Sequence, residues 1–564
     1  MATIKFFSSA VLLAALAACA QPALRQPAAT ADITIFSIND FHGNLQAAQP
    51  VPYMATLADP GHPGQQMSVP AGGYAYLAAL LKQRRAAAPA SILVGGGDLI
   101  GASPIGSAIL RDEPVIEALN QLGLAATAVG NHEFDAGAAT LLRKLRGECP
   151  ATGCAYPGFR GAAFDYLAAN VSEQGSAQPW LKPYVIRQVG EFKVGFIGAV
   201  TADVPNLVAG DKVGQLRFED EASAVNRYVP ELQRQGVAAI VLLIHEGADY
   251  AGAANDPSYR CEGLHGPIIA ISKKLDPAIS LIVSGHSHQA YTCKIDGRLV
   301  MQGGSYGAYL SEATLSIDRN TRQVLRAVAY NHLIAQHQLS AEPQAQQLVQ
   351  HVAALTAAVR NRPVATLAGA LMRDSAGAAF DSALGNVIAD AQLSQTQNQG
   401  GAEIAFMNEG GIRADLPSGH PAPPLRLSYG DLYAAQPFGN TLVRLRLSGA
   451  QILALLQQQW QGRTADDPKK LFVSDGFSYR WNPASPIDER VQDVRLNGQP
   501  LLPEREYSVV VNSFLAGGGD GFSVLKQGTQ RQSIGQDLEA LEAYVQAQGE
   551  RLANVKTDRV RRAD

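Results

Sequence analysis

What most constrains this chain is where its metal-type residues stand. In the first half, five short apolar runs each end in a residue able to hold a cation. Ile33–Ile38 leads into Asn39-Asp40-Phe41-His42, and Ser91–Val94 into Gly95-Gly96-Gly97-Asp98. Ala125–Val129 leads into Gly130-Asn131-His132-Glu133, and Ile240–Ile244 into His245. Ile279–Val283 leads into Ser284-Gly285-His286-Ser287-His288. Helical patterns separate several of these strands, among them Gly73–Arg85 with Leu77, Leu80 and Leu81 on one face. Strands alternating with helices describe a layered α/β domain, in which ligands gather at the carboxyl ends of the strands. Taken singly, the motifs are weak: an Asp-x-His is more often a satisfied polar pair, and a glycine-rich turn is mostly a tight loop. Together they resist a packing explanation, because buried polar groups are costly without partners. Oxygen and imidazole donors without thiolates suit Mn²⁺, Zn²⁺, Fe or Mg²⁺. The set is large enough for two ions sharing a carboxylate, the arrangement that clamps both oxygens of an in-line phosphoryl displacement.

The rest of the chain reads as two globular α/β units and a connector. With 46% hydrophobic and 17% charged residues, the 564-residue chain has ample core and is not disordered as a whole. The first unit is expected over residues 31–335, with Pro50–Gly72 and Asp249–Gly266 as surface loops. A linker follows over 336–363. In it, Ala341–Asn361 reads as an exposed amphipathic helix, with Leu348, Val349, Val352, Leu355 and Val359 apolar, and Pro363 stops it. The second unit is expected over 364–552. Its strands fall near Glu403–Met407, Thr441–Leu447, Gly476–Trp481, Val491–Leu496 and Tyr507–Asn512. Its helices fall near Ser382–Gln397, Gly449–Gln459 and Asp537–Gln548. The basic end with Lys556, Arg559, Arg561 and Arg562 reads as a solvated tail. A net charge of −4 offers no basic surface for a nucleic-acid polymer.

At the start, Lys5 precedes an apolar run from Phe6 to Ala18. The run is shorter than the ~20 residues a spanning helix needs, which makes residues 1–20 a signal peptide. Its end has two readings. Leu16-Ala17-Ala18-Cys19 resembles a lipobox, in which Cys19 is lipidated; Ala18-Cys19-Ala20 suits an ordinary small-x-small cleavage site. The lipobox is favoured, because cysteine is otherwise rare there. The expectation is export to the periplasm with a lipid anchor in the outer membrane. Four cysteines remain, an even number in an exported chain. Disulfides Cys149–Cys154 and Cys261–Cys293 are expected, with free buried thiols as the alternative.

Asp40-x-His42, Gly97-Asp98, Gly130-Asn131-His132-Glu133, His245 and Gly285-His286-x-His288 resemble the calcineurin-like metallophosphoesterase signature. Further motifs narrow the resemblance to the secreted 5′-nucleotidase family, which includes UDP-sugar hydrolases and 2′,3′-cyclic nucleotide phosphodiesterases. They are Leu384-Gly385-Asn386, Asn408-Glu409-Gly410-Gly411-Ile412-Arg413, Gln436-Pro437-Phe438-Gly439-Asn440, and Asn512-Ser513-Phe514 through Gly518-Gly519-Asp520-Gly521. The resemblance spans nearly the whole mature chain. It implies a four-layer α/β/β/α metallophosphoesterase domain followed by an α/β nucleotide-binding domain. It also implies two divalent cations (Mn, Zn, Mg, Fe or Co). Asp40, His42, Asp98 and His288 would hold one, and Asp98, Asn131, His245 and His286 the other, with Asp98 bridging. His132 and Asp135 would form the catalytic dyad, and the nucleophile would be a metal-bound hydroxide. Their spacing of three lets a carboxylate fix the imidazole tautomer.

In the second unit, Phe438 and Phe514 match a pair that sandwiches the base. Asn440 and Asp520 match groups that hydrogen-bond base and ribose, Arg413 matches an arginine that meets the substrate anion, and Asn408 belongs to the same pocket. One departure stands out. Many family members carry an arginine shortly before Leu-Gly-Asn, but here Ser375–Asp381 holds none, and the nearest is Arg373. The implied activity is release of phosphate from nucleotides. The alternatives on the same scaffold are a cyclic-nucleotide phosphodiesterase, a UDP-sugar hydrolase or a thiosulfohydrolase, and more remotely a non-catalytic surface binding protein. A cleft between the units is expected, with a hinge near the connecting helix.

Overall fold

The computed structural model describes residues 29–46, 53–58, 66–208, 210–374, 380–397, 400–418, 424–465 and 467–563. The signal-peptide segment, Cys19 and residues 375–379 of the departing stretch lie outside the described residues.

Two six-stranded sheets face each other in the first unit. The first runs in the order Val324–Leu333, Tyr309–Asp318, Thr30–Ile38, Ser91–Gly95, Leu124–Ala128, Asp165–Leu167. The second runs Ala290–Ile295, Arg298–Gly303, Ile279–Val283, Ala239–His245, Phe192–Val200, Tyr184–Val189. In both, the strands that carry candidate ligands are parallel and central, so their carboxyl ends open on the same side.

Side chains alternate along each strand, and the alternation separates the layers. Ile33 and Ile35 of the first sheet meet Val194, Phe196, Val241 and Leu281 of the second in the core between the sheets. Phe36 and Ile38 point the other way, onto Leu77, Leu81, Val115 and Ile116 of outer helices. Ile240, Leu242 and Ile244 likewise face outward onto Val225, Leu232 and Ile268. The result is the α/β/β/α stack.

In the second unit a five-stranded sheet takes the order Leu471–Val473, Ile404–Asn408, Glu506–Asn512, Thr441–Ser448, Thr529–Gln536. One face packs on the helices Ala383–Gln395 and Asp537–Gln548, through Val387, Ile388, Leu541 and Val545. The other packs on Gly449–Gln457 through Ile452, Leu455 and Leu456. Ser448 and Gln451 form a reciprocal capping box at the start of that helix.

Three sequence expectations change. The segment Pro50–Gly72 contains a hairpin, Tyr53–Ala58 paired with Gln66–Ala71. The connecting helix, Pro343–Arg360, is only half exposed: Ala345, Leu348 and Val352 complete the core of the first unit, while Leu355 and Val359 face outward. The basic tail is structural. Val560–Arg562 adds a parallel strand beside Phe477–Trp481, and Arg559 forms an ion pair with Asp390 in which both side chains are 11% exposed. Cys149–Cys154 and Cys261–Cys293 are disulfide-bonded. No described helix is long and apolar enough to cross a membrane.

Candidate metal centre

Three of the central strands deliver their polar residues by a sharp turn, while His245 ends its own strand and Asn131 has ordinary helical backbone angles. Asp40, His42, Asp98, His286 and His288 all have positive φ, between 46° and 75°. Non-glycine residues adopt that region seldom, and mostly where the surrounding structure over-determines them for function. Close approach is enforced as well: a Cβ on Gly130 would stand 2.1 Å from Asp98 Oδ1, so only glycine lets the two ligand loops meet.

The seven candidate ligands come together in one place. Asp40, His42 and His288 form one cluster of donor atoms, and Asp98, His245 and His286 a second, each within 4.8 Å. Asp98 stands between them, its Oδ2 3.0 Å from His245 Nε2 and 3.7 Å from His42 Nε2. Asn131 Oδ1 lies 3.1 Å from His245 Nε2. Asp40, His42 and His245 are fully buried.

The donor set fits cations. Nδ1 of His42 donates to Gly101 O and Nδ1 of His245 to Gly96 O, both at 2.9 Å, which turns each Nε2 lone pair inward. His42 Nε2 and His288 Nε2 face each other at 3.1 Å. Burial, aided by neighbouring cationic groups, pushes His42 down to about 3, so its ring is neutral. Either a proton on His288 Nε2 or a cation that both rings face must fill the space between the two nitrogens. Burial also opposes a charge on His245, but Asp98 and Asp40 outweigh it and pull the imidazole up to about 10. The second cluster therefore demands positive charge, whether as a proton or as a metal ion.

Beside the clusters, His132 Nδ1 lies 3.0 Å from Asp135 Oδ2, and Ala102 N donates to that same oxygen. Burial works against protonation of His132, yet the Asp135 and Asp98 carboxylates raise it above its ordinary value. A cavity of about 650 Å³ opens in front of this pair. Its walls include Asn131, His286 and His288 from the first unit and Asn408, Phe438 and Phe514 from the second. Arg413, Asn440 and Asp520 line it too. Asn408 Nδ2 donates to Asp520 Oδ2 at 2.9 Å, and Ser513 Oγ to Asn440 Oδ1 at 3.1 Å. Gly519 makes room for Phe514, since a Cβ there would meet its ring at 2.5 Å.

Arg373 is not in this cavity. It lines an adjoining one of about 670 Å³, together with Arg360 and Arg413, and its Nη1 donates to Arg413 O. Among the contributors to the cleft that sequence reasoning missed, three stand out. Tyr306 sets its ring 5.3 Å from that of His288, with its hydroxyl 3.5 Å from Arg413 Nη2. Leu207 and Lys212 wall the 650 Å³ cavity from the first unit. None of these stands in a chemically telling motif; only the fold brings them there.

Two family models match the chain: calcineurin-like phosphoesterase over residues 33–290, and 5′-nucleotidase, C-terminal domain, over residues 363–527. The chain is 29% identical to Endonuclease YhcR of Bacillus subtilis over 94% of its own length, and spans 41% of that longer protein. It is 32% identical to Cell wall protein Lmo0130 of Listeria monocytogenes, covering 92% of this chain and 67% of that one. A solved 5′-nucleotidase precursor from Thermus thermophilus superimposes with a TM-score of 0.73 at 26% identity, covering 94% of this chain and 99% of the other. The paired clusters of Asp and His, the aromatic pair across the cleft and these matches agree: the chain belongs to the 5′-nucleotidase family of calcineurin-like metallophosphoesterases.

Proposed function

We propose that this protein is an exported phosphohydrolase that releases phosphate from nucleotides. One observation carries the reading: the Asp/His clusters of the first unit and the Phe438/Phe514 pair of the second open into the same cavity. A volume of about 650 Å³ suits a mononucleotide, with the base between the rings and the phosphate toward the clusters.

Two divalent cations are the cofactor. Asp40, His42, Asp98 and His288 would hold one, and Asp98, Asn131, His245 and His286 the other. When bound they supply Lewis-acid charge on the phosphoryl group and make water a competent nucleophile near neutral pH. The chain's own residues do the rest. Arg413 offers a planar fork to the anion. Asp135 orients His132 so that Nε2 faces the phosphate and can give a proton to the departing oxygen. Phe438 and Phe514 hold the base by its π-faces, which tolerates several bases.

Turnover would be gated by rotation of the units about the end of the connecting helix. Gly210 and Gly517 approach across the cleft: a Cβ on Gly517 would sit 3.9 Å from Gly210 N. A G210C/G517C disulfide should stop turnover, with activity returning on reduction; full activity while crosslinked refutes the gating.

The test of the main reading is phosphate release by metal-reconstituted protein. The panel holds AMP, other mononucleotides, UDP-glucose, 2′,3′-cyclic AMP, a thiosulfate adduct and single-stranded DNA. Release from no mononucleotide, with two metals bound, overturns it. The neighbouring cavity with Arg360, Arg373 and Arg413 favours one second reading, a substrate with a further group beyond the scissile phosphate, such as a UDP-sugar. In that case UDP-glucose is the preferred member of the panel. Export, and a lipid on Cys19, are tested by fatty-acid labelling: no label, or a label that survives Cys19→Ala, rules out the anchor.

A further inference from the structure

Asp98 occupies the place between the two cation clusters, so its position governs both. Its backbone has φ 49°, a conformation that needs outside support. The carbonyls of Gly97, Asp98 and Leu99 accept the N–H groups of Asp40, His42 and Gly43, and on the N–H side the support comes from one carboxylate. Glu133, 3% exposed, accepts four backbone N–H groups from two different loops. Its Oε2 takes those of Asp98 at 2.9 Å and Gly130 at 2.6 Å. Its Oε1 takes those of Leu99 at 2.8 Å and Ile100 at 3.3 Å. The Tyr166 hydroxyl donates to Oε1 at 3.4 Å. Asp98 Oδ1 in turn accepts His132 N at 2.8 Å. Loop 97–100 carries Asp98, and loop 130–132 carries Asn131 and the dyad histidine. Glu133 is the clip that fixes one against the other.

We infer that Glu133 is a positioning residue that sets the spacing of the two cations and the affinity of the site for the pair. This rests on the two-cation reading above. The argument is one of donors and acceptors. Four N–H groups converge on two oxygens, and the two carboxyl oxygens offer acceptor lone pairs to all of them. A carboxamide of the same shape would present an NH₂ to two of those donors. Glu133→Gln is therefore not conservative here, although it changes almost no volume. Support of this kind behind metal ligands is typically worth about 10–100-fold in metal affinity.

The experiment uses the full mature chain and Mn²⁺ as the probe, followed by electron paramagnetic resonance. Free Mn²⁺ gives the binding isotherm, and the exchange-coupled signal reports the spacing of the pair. Wild type should bind two ions with a coupled signal; binding of fewer defeats the two-cation reading itself, separately from this proposal. Given two ions in wild type, Glu133→Gln should weaken pair binding about 10–100-fold and alter or abolish the coupled signal. Glu113→Gln is the control, because Glu113 is also 3% exposed and accepts one backbone N–H, from Tyr156, with no donor from the ligand loops. It should leave both readouts at wild type. A folded Glu133→Gln protein with wild-type isotherm and coupling overturns the inference. If that variant does not fold, Tyr166→Phe removes only the fifth donor and should still shift the coupled signal; an unchanged signal is then the refuting result.

Discussion

His132 and Phe438 stack across the cleft, their ring centroids 5.8 Å apart and their planes 18° from parallel. One ring belongs to the reacting end of the cavity, the other to the wall that would carry the base. Base stacking on an aromatic is worth about 1–3 kcal/mol, or roughly 5–150-fold in binding. Phe438→Ala should raise KM for AMP by that order. Hydrolysis of p-nitrophenyl phosphate, which has no nucleobase, should stay near wild type. Steady-state kinetics on both substrates decides it, since an equal loss on both would place the effect on His132 instead.

His132→Asn keeps a polar group of similar reach but removes the proton donor. General acid catalysis contributes about 10²–10⁴-fold, and kcat should drop by that order. Mn²⁺ content, read by atomic absorption, should stay at two per chain, because His132 is in neither donor cluster. Lost metal would mean the histidine acts through the cation site.

The central strands were readable because they are buried on both faces and appear as unbroken apolar runs, as in Ala239–His245. Their polar ends were readable because five such ends repeat the same chemistry. The edge strand Val324–Leu333 and its neighbour Tyr309–Asp318 were not, since Val324–Leu333 keeps one buried residue and Tyr309–Asp318 alternates buried with half-buried ones. Tyr306 was equally hidden. Its place beside His288 depends on a turn at φ 57° and on pairing between distant strands, which no local pattern announces. The same holds for Arg373, whose sequence neighbourhood suggested the nucleotide cavity and whose side chain lies in the adjoining one.

Removing metal should cost stability as well as activity. Asp40 and Asp98 are 0% and 1% exposed, and a buried carboxylate needs a positive partner. Ligand present at a hundred times its Kd stabilises by about 2.7 kcal/mol per site. Chelated protein should lose phosphate release and unfold at a lower temperature in calorimetry, and Mn²⁺ should restore both. An unchanged midpoint after chelation contradicts the fit of the donor set.

Acid should unfold the protein partly through Glu312. Its carboxylate accepts two hydrogen bonds from Arg84, at 2.8 and 3.0 Å, and faces His332 Nε2 at 2.9 Å. Burial opposes its charge, but His332 and Arg84 together bring it down to about 2. A depressed carboxylate stabilises the fold above its unfolded pKa of about 4.3 and loses that contribution as pH falls through its folded value. Glu312→Gln should therefore be less stable than wild type at pH 7. The difference should shrink between about pH 4.3 and about pH 2. Urea midpoints across that range test it, and a constant difference refutes the assignment.

Arg559 offers the sharpest test of the tail. Its guanidinium makes two hydrogen bonds of 2.8 Å to Asp390 and a third of 2.7 Å to Val473 O. Burial raises the Asp390 carboxyl above its usual range even with the arginine beside it. Arg559→Ala would strand that carboxylate, and breaking a buried pair from one side costs about 3–5 kcal/mol. Asp390→Asn alone leaves the arginine without its counter-charge, yet combined with Arg559→Ala it removes the stranded charge. The double variant should therefore lose less than the sum of the single losses, by the coupling that neighbours in one ion pair show. A solvated tail would give three midpoints within error of wild type, because surface substitutions rarely exceed about 0.5 kcal/mol.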